Sequence, residues 1–286
     1  MSNSMKEKVC IVTGANSGIG KITALELAKL GATVVMLCCD KGQGEEAQSE
    51  IKTESGNESI DLMLADLSSQ QSIRKFASEY QKKYDKLHVL INNAGVNLSK
   101  RYETVDGIEK VFAINTLAPF LLSNLLLKTL KSSIPARIIN VASNVQSGSI
   151  NFDNLQFKKH FKSWRAYSQS KSSLILITYE FARRLEGTGV SVNCLHPGFT
   201  KTNITQDYKG IIKFFTKIIF SFAKRPEEGA ENSIYLASSP EVEGVSGKYF
   251  INKKEATSKD ITYDTTIAKK VWDVCVNFTK LNPKNT

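Results

Sequence analysis

Short β-branched apolar runs alternate with longer helical stretches along most of the chain, and few architectures accept that rhythm. A strand followed by a long helix must cross over before the next strand, so successive strands come out parallel and both faces of their sheet are covered. Segments 8–13, 33–38, 60–65, 87–91, 137–141 and 190–195 read as strands, and 247–251 as a seventh. Helical periodicity runs through 18–30, 45–54, 69–83, 108–131 and 164–186. No repeat or low-complexity linker interrupts them, so residues 1–286 are expected to form one α/β domain, a doubly wound parallel sheet of about seven strands flanked by helices.

The first strand runs into Thr13-Gly14-Ala15-Asn16-Ser17-Gly18-Ile19-Gly20, and a helix follows at once. Gly14 permits a tight turn, while Gly18 and Gly20 let backbone and helix close in on a ligand. The helix N-terminus then offers amide hydrogens and positive dipole to a pyrophosphate. The bland alternative is a glycine-rich turn with no ligand. No Gly-Lys-Ser/Thr follows, which excludes a P-loop.

About 150 residues later, Tyr167-Ser168-Gln169-Ser170-Lys171 puts a phenol and an ammonium on one face of a helix. A free phenol titrates near 10, too high for proton exchange at neutral pH, and a cation one turn away favours the phenolate. In isolation the pair is equally what a half-exposed helix would carry. Ser143 follows the fifth strand, at the carboxyl end where open α/β sheets place ligands; Ser147 is its competitor. Asn115 is on its own merits only a polar residue inside an apolar helix, with a kink-stabilising role as the bland alternative.

The glycine loop, Asn92-Asn93-Ala94-Gly95 after the fourth strand and Tyr167-x-x-x-Lys171 together resemble the short-chain dehydrogenase/reductase family in its single-domain form. Asn154-Leu155-Gln156, His196-Pro197-Gly198 and 226–230 are most similar to its retinol-dehydrogenase-like branch, as is 238–249. The resemblance implies an NAD(P)-dependent oxidoreductase acting on CH–OH groups. It implies Tyr167 as general acid/base, Lys171 as its tuner and ribose holder, Ser143 as hydrogen-bond partner of the substrate oxygen, and Asn115 as holder of a relay water. It further implies a cofactor site of Gly14, Asn16, Ser17, Gly18, Ile19, Gly20, Cys39, Asp66, Leu67, Asn93, Ala94, Gly95, Tyr167, Lys171, Pro197, Gly198, Thr200 and Thr202. Asp66 is the implied adenine contact and Thr202 the implied carboxamide contact. Thr200 stands where the family usually has valine or isoleucine.

The end of the second strand departs from the pattern. Cys38 stands where NAD enzymes usually carry an acid, and Cys39 where this branch commonly has an arginine. Without the acid a 2′-phosphate is unopposed; without the arginine its bidentate partner is missing. Lys21 and Lys41 supply positive charge nearby, and Asp40 works against them. NADP(H) is the favoured cofactor and NAD(H) the alternative.

Five cysteines without Cys-x-x-Cys spacing read as reduced thiols in a cytoplasmic protein, and no metal site is expected. His196 reads as a turn residue, and His88 and His160 have no ligand partners at metal spacing. Lys6-Glu7-Lys8 leads straight into the first strand, so no signal peptide is expected, and no apolar stretch is long enough to span a bilayer. The formal charge of +10 is scattered, and no nucleic-acid motif accompanies it. Segment 202–225 is apolar with a lysine stripe and reads either as a lid over the substrate or as a peripheral membrane contact. Both readings suit a hydrophobic small-molecule substrate, an aldehyde, ketone or alcohol of retinoid, steroid or lipid type. The amphipathic segment 260–280 either caps the domain or meets a partner, and a homodimer through the long helices is the family's common assembly. The rival readings are a non-catalytic dinucleotide-binding scaffold and a membrane-surface lipid binder on the same fold.

Overall fold

The computed structural model describes residues 4–198 and 226–282. An eight-stranded sheet has the order β3-β2-β1-β4-β5-β6-β7-β8. Its strands are β1 (Val9–Thr13), β2 (Thr33–Cys38), β3 (Ile60–Leu64), β4 (Val89–Asn92), β5 (Ala136–Val141), β6 (Val190–His196), β7 (Tyr249–Ile251) and β8 (Lys254–Ala256). All pairings are parallel except β7 with β8, a hairpin whose turn residues Asn252 and Lys253 both have positive φ. β8 is the strand beyond the expected seven; three residues with two charges carry no apolar alternation to announce it.

Strand side chains alternate between two cores. Cys10, Val12, Val34 and Met36 face one side, where α1 (Gly18–Lys29), α2 (Lys41–Ser55) and α8 (Pro226–Ser238) lie. Ile11, Val35, Leu37, Leu90 and Ile138 face the other, under α3 (Gln70–Lys83), α5 (Ala118–Leu125), α6 (Leu127–Lys131), α7 (Ser163–Arg184) and α9 (Thr265–Thr279). The helix α2 starts at Lys41, ahead of the expected 45, because the Asp40 carboxylate accepts the Gln43 N–H at 2.8 Å and opens the helix there.

The expected helix 108–131 is not continuous. α4 (Lys110–Phe112) passes into a π-helical turn, Ala113–Leu117, before α5 begins. Asn115 sits in that turn, an interruption of the kind that gathers at functional sites. Segment 260–280 forms a short 3₁₀ turn and then α9, which covers α7. Trp272 wedges between Phe120 and Phe181 at ring separations of 4.8 and 4.6 Å, with the Arg184 guanidinium 4.3 Å above it. The described helix therefore takes the domain-capping alternative.

Candidate active site

Between β1 and β4 the winding of the sheet reverses, and the loops leaving those two strands part there to leave a crevice. A cleft of about 510 Å³ occupies it. Gly14, Asn16, Ser17, Gly18, Ile19, Gly20, Cys39, Asp66, Leu67, Asn93, Ala94, Gly95, Tyr167, Lys171, Pro197 and Gly198 all line it, together with Ser143. Thr200, Thr202 and segment 202–225 lie outside the described residues.

The glycine loop is wound tightly. Gly14 and Gly18 have φ of 66° and 54°, in the left-handed region. A Cβ on Gly20 would overlap the Gly14 carbonyl and lie 2.5 Å from Asn93 Nδ2. Thr13, the first residue of the motif, braces the two loops. Its hydroxyl accepts the N–H groups of Asn93 and Ala94, each at 2.9 Å, while Asn93 Nδ2 donates to its carbonyl at 2.8 Å.

The first turn of α1 differs from its neighbours. Asp40 and Ser69 cap α2 and α3 with their side chains, whereas Ser17, at the N-cap of α1, accepts no such bond, and no acid lies in the first turn. Those amides keep their capacity for an anion, and no carboxylate on that turn repels one. This donor set fits a dinucleotide pyrophosphate.

At the end of the cleft beside β2, Cys39 is exposed on the wall. Lys21 pairs with Glu50, and Lys41 stands 3.7 Å from Glu45. Asp66 Oδ1 accepts both the N–H and the hydroxyl of Ser68, at 2.8 and 2.7 Å, so one of its oxygens is committed to the turn before α3. Asn92 points away from the cleft, donating to Asn140 Oδ1 at 2.8 Å within the core.

At the other end, Ser143 hydrogen-bonds the Tyr167 phenol. Burial pushes that phenol up from its ordinary value, and the Ser143 bond pulls it back. Lys171 is buried and donates to the Val141 carbonyl at 2.7 Å, with Nζ 5.9 Å from the Tyr167 ring centre; desolvation pulls its ammonium down to about 8. Ser147 points elsewhere, its hydroxyl donating to the Ser149 carbonyl at 2.7 Å.

Asn115 stands one layer behind this wall. Its side chain accepts the Val96 N–H at 2.8 Å and donates to the Val96 carbonyl at 2.9 Å and to Ser170 Oγ at 3.0 Å. A Cβ on Gly95 would meet both Asn115 Oδ1 and Lys171 Nζ at 3.3 Å, so only glycine leaves the two at ordinary contact distance. Three residues that sequence reasoning passed over also belong here. Val145 and Trp164 line the outer cleft, and buried Gln146 donates to the Ser143 carbonyl at 3.1 Å while accepting the Lys259 N–H at 2.7 Å.

The short chain dehydrogenase family model matches residues 8–210, which spans both cleft-forming loops and the Tyr167 helix. The chain belongs to the short-chain dehydrogenase family. It is 44% identical to human retinol dehydrogenase 14, over 94% of this chain and 85% of the relative. A solved structure of an uncharacterized Mycobacterium paratuberculosis protein superposes with a TM-score of 0.78 at 30% identity, covering 97% of this chain and 95% of that one. The RhlG/NADP active-site complex of Pseudomonas aeruginosa superposes with a TM-score of 0.68 at 26% identity, covering 87% and 95%. As a member of this family, of the retinol dehydrogenase-like kind, the chain is an oxidoreductase that uses a nicotinamide cofactor and acts on CH–OH groups.

Proposed function

We propose that this enzyme interconverts a lipophilic alcohol and its carbonyl, with Tyr167 as the group that moves the proton. The observation that carries the reading is the convergence of Tyr167, Ser143 and Lys171 on one wall of a cleft whose other end is the uncapped first turn of α1. The bound nicotinamide supplies or accepts the hydride. In the reducing direction the Tyr167 hydroxyl gives its proton to the substrate oxygen, and Ser143 holds that oxygen as charge develops on it. Lys171 holds the ribose hydroxyls, and its charge favours the phenolate left behind. Asn115 fixes the Gly95-Val96 backbone against α7, which keeps the floor of the site in register with Tyr167.

NADP(H) is the cofactor this reading favours. The residue at the cleft edge after β2 is the thiol of Cys39, and the Asp40 carboxylate is turned into the α2 cap, so no acid faces a 2′-phosphate there. A retinoid-type substrate is proposed from the likeness to human retinol dehydrogenase 14 and from the apolar side chains of Val145 and Trp164 on the outer cleft. Among the described residues no helix is long and apolar enough to cross a membrane. A cytoplasmic enzyme with peripheral access to lipid is the reading we take from the free cysteines and the lipophilic substrate. The α9 cap on α7 argues against a dimer built on that helix face.

Titrating NADPH and NADH against the protein and then screening all-trans-retinal, steroid ketones and long-chain aldehydes tests the reading. Tyr167→Phe is expected to lower kcat by at least about 100-fold with cofactor affinity retained. Full turnover in that variant would refute it.

A further inference from the structure

One face of the cleft rim carries a cluster of cations that the reaction does not use, gathered around the exposed Trp164. Lys158, Lys159, Lys162 and Arg165 fall within the eight residues 158–165, and no acid occurs from 154 to 179. All four are exposed, and among the described residues none of them forms an ion pair with a carboxylate. Trp164 stands in their midst, 62% exposed, with the Arg165 guanidinium 5.8 Å from its ring, and it also lines the outer cleft.

The loop that displays these groups is well tied. Phe157 is buried and meets Phe161 edge-on at 6.2 Å, which turns the intervening Lys158 and Lys159 outward. Asn154 Nδ2 donates to the Lys159 carbonyl at 2.8 Å, and Ser163 Oγ bonds Asn97 Oδ1 at 2.8 Å beside the cleft. Arg101 Nε donates to the Gln156 carbonyl at 3.0 Å, so the adjoining loop, with exposed Lys100 over the Tyr102 ring at 5.1 Å, is joined to the same surface. A large exposed indole among unpaired cations matches the headgroup boundary of an anionic bilayer, where indole sits at the interface and each lysine meets phosphate and carboxylate.

We propose that residues 157–165, with Lys100 and Tyr102, form a docking surface for a bilayer carrying anionic lipid. Docking there sets the mouth of the cleft against the membrane, so an apolar substrate enters from lipid without crossing water. The proposal deepens the reading of a lipophilic substrate and rests on it for its purpose. The surface itself is tested without turnover.

The experiment is flotation of the full chain with vesicles of phosphatidylcholine alone or mixed with phosphatidylserine. The wild type is expected to float with the mixed vesicles and not with the neutral ones, and added salt should release it. Each basic residue contributes about fivefold to partition near an anionic surface, so K158A/K159A should lower it by about 25-fold. Reduction of a short water-soluble aldehyde by that variant should be unchanged, which separates loss of docking from loss of the active site. Trp272, the other of the two tryptophans, is buried, so a vesicle-induced blue shift of emission should come from Trp164 and vanish in W164F. Equal flotation with neutral vesicles, or unchanged partition of K158A/K159A, would overturn the proposal. So would tight binding to polyglutamate without vesicle partition, which would point to an acidic protein partner instead.

Discussion

Gly20→Ala tests whether the glycine loop binds cofactor because of its backbone shape. The new methyl would overlap the Gly14 carbonyl and lie 2.5 Å from Asn93 Nδ2 and 2.9 Å from the Gly14 carbonyl carbon. Ordinary contact begins at 3.4 Å, so Asn93 alone would have to retreat by about 0.9 Å. It is poorly placed to do so, since Nδ2 holds the Thr13 carbonyl and its backbone holds the Thr13 hydroxyl. Overpacking of this kind costs about 1–3 kcal/mol, and the better helix propensity of alanine returns up to about 1 kcal/mol. Urea unfolding should therefore show a net loss of about 1–2 kcal/mol. Because the displaced atoms belong to the proposed cofactor cradle, the Kd for NADPH, the proposed cofactor, should rise at least about tenfold. Gly56→Ala is the control: its φ is 65° and nothing lies within 4 Å of the added methyl. It should cost about 1 kcal/mol through left-handed backbone strain and leave the Kd unchanged. A Gly20→Ala protein as stable as wild type, with Kd within about twofold, would refute the steric account.

Lys171→Met should abolish turnover yet raise stability at neutral pH. Burial lowers the Lys171 pKa from 10.5 to about 8, so the unfolded chain binds its proton more tightly than the native one. The penalty, about 3 kcal/mol, is fully present below pH 8 and is relieved as pH rises toward 10.5, so the variant's advantage in urea unfolding should shrink over that window. A constant difference would contradict this. Trp272→Ala should destabilise by about 3–5 kcal/mol in the same assay, because α9 loses its wedge between Phe120 and Phe181. Gln146→Ala, which frees the Ser143 carbonyl, should lower kcat about tenfold without changing cofactor Kd, and an unchanged kcat would remove Gln146 as a positioning residue.

Much of the fold was legible because it depends on local periodicity. β2 falls on the expected 33–38, and α1 and α3 fall within a residue of the expected helices at either end, since apolar spacing there is set by burial on a sheet. β8 and α8 were not anticipated. The first has no pattern, and the second carries Pro226, Glu227 and Glu228 as start signals but a weakly amphipathic body. The glycine loop, Asn93, Ser143, Tyr167 and Lys171 stood out because they occur together, in order, at the ends of strands and on one helix face, a combination that no single position would have announced. Trp164 and Gln146 did not, because nothing in a lone tryptophan or glutamine announces that it stands beside a cleft.

By itself the sequence determined the layered α/β sheet, the family and the residue types available for chemistry, since these follow from periodicity and from motifs only a few residues long. Only the tertiary structure decided what those residues touch. It brought Asn93 onto Thr13, 80 positions away, left the first turn of α1 without a side-chain cap, and placed Asn115 behind Gly95 rather than in the cleft. It also turned the Asp40 carboxylate into a helix cap and set a basic, tryptophan-bearing loop at the cleft rim. The physical reason is that these arrangements depend on distances and directions between elements far apart in the chain, which no local spacing encodes.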